Sequence, residues 1–163
     1  MALPIYSMAA LTDSFENKLI DFLFRAQALG LANSSAGAGS GPTSLYVGLF
    51  TSAPTDSSAG TEVSGGSYAR VAVTSSLANW AGTQSAGSTT ASSGTGGTTS
   101  NNGTITFPSP TANWGTIVAA GVFDSSSGGM LLAYGALTTN KTVNNGDAAP
   151  SFAAAALTFQ IDN

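Results

Sequence analysis

The stretch SLYVGLFTSAPTDSSAGTEVSGGSYARVAVT, residues 44–74, decides the fold class. It opens with Leu45, Val47 and Leu49 alternating against Tyr46, Gly48 and Phe50, the period of a β-strand. Both sets are apolar, which suits a central strand or a contact with a helix. It closes with Ala69, Val71 and Val73 alternating against Tyr68, Arg70 and Ala72. The polar segment between reads as a loop, where Gly65 and Gly66 let the backbone turn sharply. Beyond residue 30 the chain holds only two basic side chains, Arg70 and Lys141. Arg70 follows Glu62 by eight positions, so the two can meet across the loop and hold its ends together. An exposed pair of this kind contributes about 0–1 kcal/mol. The alternative is that Arg70 binds a carboxylate or carbonyl on a neighbouring subunit.

The same period of two recurs downstream. TITF (104–107) is a short strand, and GTIVAAGVF (115–123) and MLLAYGAL (130–137) flank DSSSGG, a strong hairpin signal. The last run, SFAAAALTFQID (151–162), places Ala153, Ala155, Leu157, Phe159 and Ile161 on one face. Upstream the period is 3.6. TDSFENKLIDFLFRAQALG (12–30) predicts an amphipathic helix, with a capping-box spacing at Asp13 and Glu16 and a stop at Gly30. Phe15, Leu19, Phe22, Leu23, Ala26 and Leu29 form its apolar stripe, and Asp21 and Arg25 pair on its outer face. Ile20 and Phe24 extend apolar surface beyond that stripe, which predicts a second apolar contact.

Together these signals predict a mainly β protein: a single antiparallel β-sandwich, jelly-roll-like or Ig-like, with one N-terminal amphipathic α-helix. The expected organisation is an arm and helix over 1–32, a flexible linker over 33–43 and the β-domain over 44–163. Residues 82–103 contain only Gly, Ser, Thr, Ala, Asn and Gln. They have nothing apolar to bury and read as a long loop, flexible or ordered against a neighbouring subunit.

Composition narrows the function classes. Only 7% of the 163 residues are charged, against roughly 25% in average globular proteins, so Ser, Thr, Gly and Asn must cover the surface. Four basic residues cannot supply the clustered charge that nucleic-acid binding needs. No apolar run approaches the ~18 residues of a membrane span. Without histidine or cysteine, Ser-His-Asp and Cys-His catalysis and His- or Cys-based zinc sites are excluded. Asp56 with Glu62 is the nearest loop pair for carboxylate chemistry, and the simpler reading is two solvated acids. NNGD (144–147) reads as a turn, since it lacks the alternating acids of a calcium loop. The N-x-S/T matches at Asn33, Asn102 and Asn140 read as chance in so hydroxyl-rich a chain. The expectation is no enzyme, no metal and no cofactor.

LYVGLFTSAPTD followed by GTEVSGGSYARVAV, then ITFPSPTANWGTI, GVFDSSSGGMLLAYGAL and KTVNNGDA, resembles the signature of small structural proteins of tailed bacteriophages. FENKLIDFLFRAQA resembles the same family's N-terminal helix. The leader before Leu11 and residues 82–103 fall outside the resemblance. Members are often labelled tail fibre proteins, and the resemblance implies a virion structural protein made in the bacterial cytoplasm.

A fibre needs length, repeats or a coiled stalk, and the sequence has no internal repeat and no heptads. That favours a capsid decoration, or cement, protein on the head surface, bound to the major capsid protein as a homo-oligomer, with a trimer favoured. A tail or tail-fibre-associated subunit is the alternative. A receptor- or glycan-binding β-sandwich is a third, for which Trp80 and Trp114 are candidates if exposed; as buried core aromatics they carry no such role. The partner-contact candidates are Phe15, Leu19, Ile20, Phe22, Leu23, Phe24, Glu62 and Arg70.

Overall fold

The computed structural model describes residues 11–31 and 41–161. The leader and most of the expected 33–43 linker lie outside the described residues. Along the chain come α1 (Asp13–Arg25), β1 (Ser44–Ser52), β2 (Thr61–Glu62), β3 (Val71–Thr74), β4 (Thr98–Ser100) and β5 (Ile105–Thr106). Then follow β6 (Gly115–Phe123), β7 (Leu131–Val143), β8 (Ser151–Phe152) and β9 (Thr158–Gln160). Among the described residues the protein is mainly β, with antiparallel strands and one helix, as the sequence predicts.

β1 is the spine of a five-stranded sheet. β6 pairs along one of its sides from Tyr46 to Phe50. The other side is divided: β3 pairs with Ser44–Val47, and β2 pairs with Phe50 and Ser52. β7 continues the sheet beyond β6 and forms its edge. The ribbons β4–β9 and β5–β8 are separate from this sheet. With α1 they supply the second layer. Leu45, Val47, Leu49, Ile117, Ala120 and Val122 share one core with Ile20, Phe24, Trp80, Ile105, Phe107 and Leu157.

The sheet's other face carries a second, smaller core of Phe50, Ala119 and Phe123. This explains why both faces of β1 are apolar. Gly48 and Gly121 pair directly across β1 and β6 and leave room for two rings above them. A Cβ on Gly48 would come within 2.9 Å of the Phe123 ring, and one on Gly121 within 2.9 Å of the Phe50 ring. The rings stack at 5.9 Å between centroids. The 124–129 hairpin forms as expected, with Gly128 and Gly129 at positive φ and the Asp124 carboxylate accepting the Met130 amide at 2.7 Å.

The helix departs from its sequence reading in three ways. It ends at Arg25, where Ala26 takes the left-handed capping conformation; Gly30 is left-handed too, but lies beyond the helix and does not cap it. Thr12 is its N-cap residue, without a side-chain capping bond, so the expected box at Asp13 does not form there. Its deeply buried face contains Ile20 and Phe24 with Glu16, Asp21 and Arg25, while Phe15, Leu19, Phe22 and Leu23 are half-buried. The Asp21–Arg25 pair therefore lies inside, not on the outer face, at 2.6 Å.

What permits this is the loop over 82–103. Arg25 donates to the carbonyls of Trp80 (3.1 Å) and Thr90 (2.5 Å). The backbone and hydroxyl of Ser92 donate to Asp21. Asn17 donates to the Gly94 carbonyl. The segment is thus ordered by polar groups that satisfy a buried ion pair of its own subunit, and it contributes β4. A chain with nothing apolar to bury can still be fixed when its backbone is the solvent for a charge.

Other strands shift for local reasons. The run expected over 67–74 pairs only from Val71, because Ser67 has φ 63° and Tyr68 turns inward. The run expected over 151–162 breaks into β8 and β9. The buried Asn101 side chain donates to the Ala153 carbonyl and accepts from the Leu157 amide, and Ala155 between them has φ 61°. Ala153 and Ala155 are exposed, leaving Leu157, Phe159 and Ile161 on the core side.

Removing one partner of the buried pair leaves the other uncompensated. Asp21→Ala is expected to cost about 3–5 kcal/mol of folding stability, read as a shifted urea midpoint. A loss under about 1 kcal/mol would show the pair to be effectively solvated.

Candidate functional site

A dense polar constellation stands where β2 and β3 meet along β1. Neither strand covers residues 48 and 49. The gap is closed by the segment between them. The Val63 amide donates to the Leu49 carbonyl at 2.9 Å. The Leu49 amide donates to the Tyr68 hydroxyl at 2.8 Å, and that hydroxyl donates to Glu62 Oε1 at 2.9 Å. Arg70 grips the same carboxylate with two bonds, Nε to Oε1 at 2.8 Å and Nη2 to Oε2 at 2.7 Å. Its Nη1 donates to the carbonyls of Ser125 and Gly128, both at 2.8 Å, and its Cζ lies 3.3 Å from the Phe123 ring centroid. One guanidinium therefore ties β2, β3 and the β6–β7 hairpin together.

Local sequence makes this geometry. Gly65, Gly66 and Ser67 all have positive φ and reverse the chain, which brings Tyr68 back over β1. Tyr68 is then held edge-on to Trp114 at 5.3 Å. Trp114 donates its indole N–H to the Gly66 carbonyl at 2.9 Å. Burial, with the Glu62 carboxylate beside it, raises the Tyr68 phenol well above its usual range. The hydrogen bond to Glu62 raises Arg70 further.

The sequence-predicted site residues divide between two roles. Glu62 and Arg70 do meet, and their polar atoms serve the fold. Ile20 and Phe24 are consumed by the chain's own core, so of the six contact candidates on the helix Phe15, Leu19, Phe22 and Leu23 keep exposed surface. Asp56 and Glu62 have separate partners: Asp56 accepts from the Tyr134 hydroxyl at 2.8 Å, which raises the Tyr134 phenol. Trp80 and Trp114 are both buried. The NNGD segment is a turn with Gly146 at φ 79°, and no cluster of metal-ligating side chains exists among the described residues.

The surface feature missed by sequence reasoning is β7. The expected strand stopped at residue 137, while β7 runs on through Thr138, Thr139, Asn140, Lys141 and Thr142 to Val143. The β-branched residues in that extension were the available signal. Met130, Leu132 and Tyr134, on or beside β7, are exposed. Two cavities, of about 730 and 500 Å³, run beside it and share Leu137 and Phe152 in their walls.

Tyr68→Phe removes the acceptor for the Leu49 amide and one donor to Glu62, and should cost about 1–3 kcal/mol. The folded state holds the Tyr68 proton more tightly than the unfolded chain does. Its stability contribution is therefore complete below about pH 10 and lost as pH rises above that value. Wild type should lose more stability than Tyr68→Phe between neutral and strongly alkaline pH in parallel denaturant titrations. Equal slopes would contradict the buried phenol.

No curated protein matches the chain. A family of known proteins does: the one described as Podophage GP4 fiber I protein gp80, matched over residues 10–160. The match takes in α1, all nine strands and the polar segment over 82–103. No described helix is long and apolar enough to cross a membrane. The chain belongs to this podophage fibre protein family and is a bacteriophage structural protein.

Proposed function

We propose that the chain is a non-enzymatic structural subunit of a fibre or fibre attachment on the phage particle. The observation that carries this reading is the family match over residues 10–160, to a protein described as a podophage fibre protein. The structure supports it by how its charged groups are used. Asp21, Arg25, Glu62 and Arg70 serve internal joints. What remains for partners is mostly hydroxyl, amide and apolar surface, with scattered exposed charges at Asp13, Lys18, Asp56, Asp124, Lys141 and Asp147. So sparse a charge allows docking to other subunits without strong electrostatic repulsion. The partner in this reading is a tail-side virion protein, and the subunit works as a homo-oligomer.

A second reading, decoration of the head through the major capsid protein, is favoured by one specific observation. α1 folds back into the core of the β-domain, giving a compact body rather than an elongated stalk. In that role the protein would stabilise the assembled shell by binding only to it.

Labelling purified virions with an antibody against this chain, imaged by electron microscopy, separates the two. The fibre reading expects label confined to the tail or its fibres, and unchanged DNA release on heating when the protein is missing. Label spread over the head, with release at lower temperature in its absence, would replace it with the decoration reading.

A further inference from the structure

We propose that the free edge of β7 over Leu131–Ala136 is a self-association edge, pairing antiparallel with the same edge of a second copy. This holds wherever the subunit sits on the particle. β7 ends the sheet order, and no described strand lies beyond it. From Leu131 to Ala136 it contains no charge and no proline. Such an edge is a template for another strand, and isolated proteins guard against that with lysines, prolines or bulges. Here the guard stands only at the far end. Ala136 pairs with Ala119 but Lys141 pairs with Ile117, so residues 137–140 bulge away and Lys141 lies past the bulge. The flat part is left open.

The apolar surface is concentrated at this edge. Of the five large hydrophobic side chains exposed among the described residues, Met130, Leu132 and Tyr134 stand here, and Met130 is 65% exposed. The 730 Å³ cavity, walled by Leu23, Phe24, Leu132, Leu137 and Phe159, opens alongside. An added strand would bond to the edge through its backbone and cover this wall with its side chains.

The occupant is a second copy because the edge complements itself. A two-fold interface needs one patch that supplies both sides, and the Leu131–Ala136 backbone edge does so; the charge beside it, Asp56, is taken up by its hydrogen bond from the Tyr134 hydroxyl. Charge placement agrees. Antiparallel pairing centred on Leu131–Ala136 carries each copy's Lys141 toward the other's 124–130 turn, where the one charged residue is Asp124. Pairing of this kind is two-fold, unlike the trimer expected from a head lattice.

The test uses the full chain, purified, in light scattering after size exclusion. Wild type should be a dimer. Leu132→Lys combined with Tyr134→Lys should weaken association by about 100-fold, since two buried apolar side chains are lost, with an unchanged circular dichroism spectrum. Because the chain has no cysteine, single-cysteine variants give a second readout that needs no disruption. Under mild oxidation, cysteine placed in turn at Leu132, Ala133 and Tyr134 should yield a covalent dimer at one or more of these positions, and Ser85→Cys should not. A wild-type monomer, a trimer, a dimer that survives the double lysine variant, or cross-linking equal to that of Ser85→Cys would each overturn the proposal. So would binding of this edge only to a strand of a different virion protein.

Discussion

The sheet depends on one grip, Arg70 on Glu62. A strand whose side is shared by two short partners has a weak point where they part, because backbone groups there have no ladder to join. In this chain that point is Leu49. Tyr68 supplies the missing acceptor, Glu62 orients Tyr68, and Arg70 fixes Glu62. The Arg70 side chain is only 8% exposed, so the pair is far from an open surface contact. Its planar fork also spans the 2.8 Å bonds to the hairpin carbonyls and lies on Phe123, which a lysine's point charge could not do at once. The two-residue β2 and the four-residue β3 keep their register on β1 through these bonds.

The same economy of charge appears at the other joint. Five of the twelve charged residues lie within 12–30, and two of them, Asp21 and Arg25, are buried where the helix meets the polar segment. Buried pairs give little net stability but penalise any arrangement that leaves one partner alone. Each joint therefore specifies geometry more than it adds energy. Outside remains a surface mostly of hydroxyls and small residues with a few scattered charges, among them Asp13, Lys18, Asp124 and Lys141.

The residues and the structure agree where a pattern is local and disagree where a distant partner decides. β1, β6 and the DSSSGG hairpin follow directly from alternation and turn chemistry. The Glu62–Arg70 pairing was legible because the chain has so few charges that each must be placed. The helix face was not legible. A stripe through Phe15, Leu19 and Phe22 is a sound amphipathic reading, and nothing in 12–30 says that a Ser/Thr-rich segment some seventy residues later will solvate Asp21 and Arg25. Tyr68 was read as one side of a strand, because the three positive-φ residues that turn it inward act only once Trp114 and β1 are in place. The last strand read as continuous because alanines alternate with any period, and Asn101, which breaks it, lies far away in sequence.

The central claim is that Glu62 and Arg70 act as one coupled, partly buried unit. A double-mutant cycle with Glu62→Ala, Arg70→Ala and the double variant, measured by urea unfolding, tests it most directly. A coupling energy above about 1 kcal/mol is the expected result, within the range of about 0.5–3 kcal/mol for residues sharing a network. A coupling of about 0.5 kcal/mol or less, the size typical of exposed ion pairs, would contradict it.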